Sequence, residues 1–183
     1  MPSNLVLQLV FAAASLVVPA QQPAAPQQAP SIRDLAWLIG TWEFVDRALP
    51  AAGFEYEERG TRTCAWALGD RYIRCESRGT SRGATRTYVS YLNWNNELGH
   101  FEKVDMFANT PSKAISVVRA SNGGHVLDIR SESRSADGQS DRTWQTMTYN
   151  GSDTIVWESR SNKSTDRPDF WPTRFRDDMK RVR

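Results

Sequence analysis

Residues 61–78, TRTCAWALGDRYIRCESR, decide the fold. Two arms of alternating apolar and polar residues flank the turn-forming group Leu68-Gly69-Asp70-Arg71. The midpoint between Cys64 and Cys75 falls between Gly69 and Asp70. A symmetric two- or four-residue loop there sets Cys64 opposite Cys75 and Trp66 opposite Ile73. A slip of one residue would turn every side chain to the other face. Turn chemistry, facing and cysteine pairing therefore agree on one register, and the stretch reads as a β-hairpin.

The same unit recurs on both sides of it. Strands are expected at residues 41–47, 54–67, 71–79, 84–94, 100–107, 113–119, 125–135, 142–150, 154–161 and 171–182, about ten in all. Between them stand Ser81-Arg82-Gly83, Asn95-Asn96-Glu97-Leu98-Gly99, Asn109-Thr110-Pro111, Asn122-Gly123-Gly124, Ala136-Asp137-Gly138 and Asn150-Gly151. Consecutive hairpins give an antiparallel meander. A meander this long closes into an up-and-down barrel, because closure removes exposed strand edges. The expected class is all-β, an antiparallel barrel of about ten strands. A two-sheet sandwich is the alternative, and the lack of long crossover connections counts against it.

The 183 residues allow one domain with a full core. Lys+Arg and Asp+Glu nearly balance at 23 and 21, and the arginines are scattered, so no single-sign field points to nucleic acid. The excess is aromatic, with seven Trp, seven Phe and five Tyr, as in a β protein with one wet face per strand.

Residues 1–20 read as a secretory signal peptide. An apolar run at residues 5–18 is followed by Val18-Pro19-Ala20, with small residues at the cleavage positions. No Lys or Arg precedes the run, so only the α-amino group is positive. A membrane anchor is the alternative, but the run is shorter than the ~20 residues a spanning helix needs. Residues 21–30, QQPAAPQQAP, read as an extended linker, which leaves residues 31–183 as the barrel domain. The expected location is secreted or periplasmic, with no membrane contact after signal removal. In such an oxidising compartment Cys64 and Cys75 are expected to form a disulfide, with free thiols as the alternative.

At the domain's start, Ser31 caps a short helical turn, with Asp34 three residues on. Ile32, Leu35 and Leu38 share one face, and Gly40 ends the turn. Trp37 and Trp42 would form a hydrophobic plug at one barrel end, or else a ligand platform.

Leu35-Ala36-Trp37-Leu38-Ile39-Gly40-Thr41-Trp42 resembles the opening motif of small lipocalin-like (calycin) exported bacterial proteins. Leu68-Gly69-Asp70-Arg71-Tyr72-Ile73 resembles their Leu-Gly-Gly-Arg hairpin turn, with Asp70 in place of the second glycine. Asn93-Trp94-Asn95 stands where such proteins carry Gly-Tyr-Asp, followed by a turn and an aromatic, here Phe101. The similarity spans residues 35 to about 105 and thins towards the C-terminus. It implies a ten-stranded lipocalin-like barrel, akin in architecture to fatty-acid-binding proteins and nitrobindins. A haem barrel of the nitrobindin type would need an inward histidine near the C-terminal end, and residues 171–183 contain none.

Reactive constellations are sparse. Gly79-Thr80-Ser81-Arg82-Gly83 matches the string Gly-x-Ser-x-Gly but falls on a predicted turn between two strands, not at a strand-to-helix elbow, and there is no phosphate-binding glycine loop or His-Glu-x-x-His. The two histidines, His100 and His125, adjoin predicted turns. Glu55, Glu57 and Glu58 fall on one strand, and Glu55 and Glu57 share a face that reads as wet, with paired acid/base carboxylates as the alternative. Arg86, Tyr88, Ser90, Leu92 and Trp94 share one face, as do Thr143, Gln145, Met147 and Tyr149; Arg142 and Trp144 lie opposite the latter set. Both faces of several strands carry apolar residues, so inside and outside stay open. An inward Arg or Tyr beside Trp would hold the carboxylate of an apolar ligand.

The candidate ligand-binding residues are Trp42, Tyr56, Trp66, Arg86, Tyr88, Trp94, Trp144 and Trp157. No catalytic residue, metal ligand or cofactor is assigned. The leading expectation is an exported monomer or homodimer that binds a small apolar or amphipathic molecule. A small-molecule enzyme on the same barrel, or a structural or interaction module filled by its own side chains, are the alternatives. Residues 161–172 read as a lid or as a long connection, and Asn150 and Asn162 begin glycosylation sequons.

Overall fold

The hairpin forms in the expected register. Strands Glu57–Ala67 and Tyr72–Ser81 pair antiparallel, with Cys64 opposite Cys75 and Trp66 opposite Ile73. Leu68-Gly69-Asp70 turn with φ of 51°, 67° and 60°. Such left-handed backbone costs Gly nothing and Asp little. Cys64 and Cys75 are joined in a disulfide with a Cα separation of 4.0 Å, closer than the ~4.5 Å of an ordinary directly opposed pair.

The computed structural model describes residues 30–108, 110–134, 140–163 and 166–183. The expected signal peptide, nearly all of the linker, Asn109, the turn at residues 136–138 and Ser164 lie outside the described residues. Ten strands follow one another: β1 (Gly40–Ala48), β2 (Glu57–Ala67), β3 (Tyr72–Ser81), β4 (Ala84–Asn95), β5 (His100–Phe107), β6 (Thr110–Ser121), β7 (Val126–Arg134), β8 (Ser140–Tyr149), β9 (Thr154–Lys163) and β10 (Thr173–Arg181). Each pairs with its neighbour in sequence, and β1 pairs with β10 to close the barrel. Closure leaves no edge strand. Both register irregularities, beside Phe107 and Phe175, fall at the same end of the barrel.

The other end is shut by the N-terminal segment. Ser31 and Asp34 make the expected capping box on a 3-10 helix, Ile32–Leu38, whose Ile32, Leu35 and Leu38 are buried. Trp37 stacks on Tyr149 at 5.0 Å and donates from Nε1 to the Gly124 carbonyl at 2.9 Å, in the turn before β7. Trp42 is fully buried and donates to the Leu38 carbonyl at 2.9 Å. Arg181 lies 4.1 Å over the Trp42 ring and donates to the Ile39 and Trp37 carbonyls at 2.6 and 2.7 Å. Helix, β1 and β10 are thus tied together. Burial of an aromatic of this size is worth roughly 2–3 kcal/mol.

Three sequence expectations are corrected. β2 starts at Glu57 because Pro50–Ala52 form a short 3-10 turn and Gly53 takes a left-handed φ of 79°, which leaves Phe54 to Tyr56 at the rim. β10 starts at Thr173: Trp171 turns outward onto Trp144 at 6.2 Å, and Pro172 has no N–H for a ladder. Asn162 is fully buried and donates to the Arg167 and Phe170 carbonyls at 2.8 and 2.9 Å. Its amide therefore anchors the connection to β10 and is closed to glycosylation in the folded barrel.

Candidate functional site

Inward residues change character along the barrel axis. Near the shut end Trp42, Leu92, Val118, Leu127, Met147, Ile155 and Met179 fill the interior and leave a chamber of only about 50 Å³. The other half holds a cavity of about 530 Å³ that opens to solvent. That volume suits a small organic molecule. Its mouth is aromatic: Phe54 and Tyr56 lie 5.9 and 6.2 Å from Phe175, and Tyr88 lies 5.7 Å from Phe107. The barrel is therefore packed by its own side chains in one half and hollow in the other.

Between the apolar floor and the aromatic mouth runs a ring of charged groups. Glu58, 2% exposed, is its most connected member. It accepts from Arg86 Nη2 at 2.5 Å, from Tyr88 Oη at 2.8 and 3.0 Å, and from Tyr56 Oη. The Arg86 guanidinium in turn lies 4.9 and 5.5 Å from the Tyr56 and Tyr88 rings. Burial raises the Glu58 pKa, opposed by the Tyr88 hydrogen bond and the Arg62 charge. The Tyr88 hydroxyl is pushed up by burial and by its bond to Glu58. Gly79 makes room for this carboxylate: a Cβ there would collide with Glu58 Oε1. Gly79→Ala is expected to cost about 2 kcal/mol of stability in urea titration, by forcing Glu58 out of its hydrogen bonds.

Two further cations are held against Trp157. The Arg62 guanidinium lies 4.8 Å and Lys103 Nζ 4.9 Å from its ring. Arg62 donates to Ser77 Oγ at 2.7 Å, and Lys103 to the Asp105 carboxylate at 2.5 and 2.6 Å. Burial lowers the Lys103 pKa, with Asp105 opposing.

Asp46 stands directly opposite Asp177 on one side and Glu58 on the other. Burial first, then the Asp177 and Glu58 charges, raise the Asp46 pKa to about 7. Burial also raises Asp177 to about 6, against the pull of Arg62. In the folded state both carboxyls bind their protons more tightly than in the unfolded chain. Their contribution is full below the ordinary Asp value of 3.8 and is lost as pH rises through about 6 to 7. The urea midpoint of the empty barrel is accordingly expected to fall between pH ~4.5 and ~7.5, and Asp46→Asn to flatten that slope. A midpoint rising across this window would contradict the assignment.

Three buried polar atoms beside the cavity have no hydrogen-bond partner among the described residues: Arg86 Nε, Trp157 Nε1 and Asp177 Oδ1. Orphans of this kind are expensive unless water or a ligand satisfies them.

Of the candidate ligand-binding residues, Tyr56, Arg86, Tyr88 and Trp157 line the open cavity, and Trp42 lines the small chamber. Trp66 and Trp94 pack against the core near the shut end, under Arg33 at 5.3 Å and against Phe101 at 4.9 Å respectively. Trp144, on the face opposite inward Gln145, donates to Asp128 at 2.6 Å and carries Arg130 and Arg160 over its ring. Both histidines lie at the shut end, His100 in a groove beside Asp34 and His125 edge-on to Tyr149 at 5.4 Å. Glu57 points to solvent between Arg47 and Arg59, whose hydrogen bonds hold its pKa low. Sequence reasoning missed Asp46, Arg62, Lys103, Asp105 and Asp177 as cavity residues. Asp46 repeats the parity of Trp42 and Phe44, and Asp177 that of Phe175 and Met179, a signal that marks both as inward.

Among the described residues no helix is long and apolar enough to cross a membrane, and no group of three or more His, Cys, Asp or Glu is placed to hold a metal ion. The disulfide is compatible with an extracellular location. No family model matches the chain, and no curated protein matches it in sequence. Solved structures do. Rv2717c of M. tuberculosis superposes with a TM-score of 0.63 at 14% identity, over 86% of this chain and 100% of that one. The S-type phycobiliprotein lyase CPES of Guillardia theta superposes with a TM-score of 0.55 at 10% identity, over 86% of this chain and 99% of that one. At these identities the likeness is one of fold, an antiparallel barrel consistent with the calycin-like architecture implied by the sequence motifs.

Proposed function

We propose that this chain is an exported binding protein whose open half-barrel holds a small, partly apolar molecule. The observation that carries the reading is the cavity of about 530 Å³, with aromatic residues at its mouth and three orphaned polar atoms beside it. A barrel serving only as a scaffold gains nothing from a buried charged ring around empty space, since each desolvated ion costs several kcal/mol. Likeness of fold to a phycobiliprotein lyase adds support for a small-molecule site. Residues 1–20 act in this reading as a cleaved signal peptide, residues 21–30 as a linker, and the mature barrel works as a monomer or homodimer in the periplasm or outside the cell. A thermal-shift screen against single-chain and aromatic amphiphiles is expected to raise the melting temperature by several degrees for at least one class. No shift for any class, at concentrations up to about 1 mM, would overturn the reading.

A further inference from the structure

We infer that the cavity is built for a protonated amine, seated between Asp46 and Asp177, with an apolar body lying against the aromatic mouth. This rests on the ligand-binding reading above and specifies the chemistry of its site.

The charges in the cavity show which sign is missing. Arg86 is committed to Glu58 at 2.5 Å and Lys103 to Asp105 at 2.5 Å. Arg62 is held by Ser77 and reaches Asp177 Oδ2 only at 3.9 Å. Each of these cations thus already has a carboxylate or hydroxyl partner, so an anionic ligand would share a cation whose charge is largely balanced rather than meet a free one. What remains uncovered is acidic. Asp177 is 8% exposed, makes no hydrogen bond through Oδ1 and lines the cavity. Asp46 has no cation within ion-pair distance among the described residues and lies directly across from Asp177, where side chains of opposed strands approach within about 5 Å. The charged groups acting on this pair are Glu58, Arg62 and Arg86 on Asp46, and Arg62, Glu58 and outward Asp178 on Asp177. At Asp46 the carboxylates outweigh the arginines, so the local potential is negative.

A proton relieves this repulsion when the barrel is empty, and an ammonium N–H does so better. Asp177 Oδ1 requires a hydrogen-bond donor, which a protonated amine carries and a quaternary ammonium lacks. A metal ion would need more protein ligands than are grouped here. The orphan donors Trp157 Nε1 and Arg86 Nε then meet a neutral acceptor in the ligand body, such as a hydroxyl or carbonyl oxygen.

The test is calorimetric titration of the mature protein with decylamine, decyltrimethylammonium, decanol and decanoate. At pH ~7.5 decylamine is expected to bind at least about ten-fold more tightly than decanoate or the quaternary ion. The alkylammonium stays protonated at this pH, so loss of affinity of about ten-fold by pH ~5.5 reports protonation of the protein's carboxyls. Asp177→Asn and Asp46→Asn keep side-chain shape and remove repulsion, so both are expected to fold. Each should weaken decylamine by about ten-fold and leave decanol unchanged. Decanoate binding as tightly as decylamine, or an amine affinity insensitive to both substitutions, overturns the inference while the binding reading stands. Failure of all four probes, together with an unchanged melting temperature across the wider amphiphile screen, overturns both.

Discussion

Glu58→Ala is expected to lower the unfolding free energy by about 3–4 kcal/mol. The carboxylate is 2% exposed and accepts from Arg86, Tyr88 and Tyr56. Removing one partner of a buried ion pair costs about 3–5 kcal/mol, because the other charge stays behind unpaired. The Arg86 side chain retains 32% exposure, so water recovers part of that loss. Two tyrosine hydroxyls lose their acceptor as well, at about 1 kcal/mol each where water does not replace it. Glu58→Gln keeps the shape and one acceptor oxygen, and should cost less than half as much. Urea unfolding at constant m-value separates the two. A loss below about 1 kcal/mol for the alanine variant would show that the ring is held from elsewhere.

The second large effect is loss of the disulfide. Cys64 and Cys75 are 2% and 9% exposed, in the packed half of the barrel, and close a ring across the hairpin with a sequence separation of 11. Restricting the unfolded chain over such a loop is worth about 3 kcal/mol. The paired Cys64→Ala, Cys75→Ala variant should unfold at correspondingly lower urea, and wild type under reductant should move towards it. The fold itself should survive, since the register is set by the turn at residues 68–71 and by the facing of β2 and β3. Equal midpoints for wild type and variant would mean that native-state strain cancels the entropic gain.

The fold was legible because its signals are local. The hairpin register followed from the spacing of two cysteines about a Gly-Asp turn. The helix cap followed from Ser31 and Asp34, and the strand count from evenly spaced turns. Half of the site was hidden for a physical reason. A charge on a strand ordinarily faces water, so Asp46, Lys103 and Asp177 read as exterior. In a barrel with a wet, open half the rule inverts, and parity with Phe44, Phe101 and Phe175 becomes the better guide. Trp144 illustrates the converse. Its aromatic bulk suggests an interior position, but Asp128, Arg130 and Arg160 cover it on the outer wall. The expectation that an inward arginine would clamp a ligand carboxylate meets a similar limit. Arg86 does line the cavity, but its Nη2 is already paired with Glu58. A partner on a non-adjacent strand cannot be read from spacing along one strand.

The central claim is that the open half of the barrel is a ligand site. Native mass spectrometry of the processed protein, purified from the cells that make it and again after incubation with an amphiphile mixture, tests this most directly. A retained small-molecule mass that disappears when Asp177→Leu puts an apolar side chain into the charged ring is the predicted result. A bare polypeptide mass under both conditions, with Asp177→Leu more stable and otherwise indistinguishable, would contradict it.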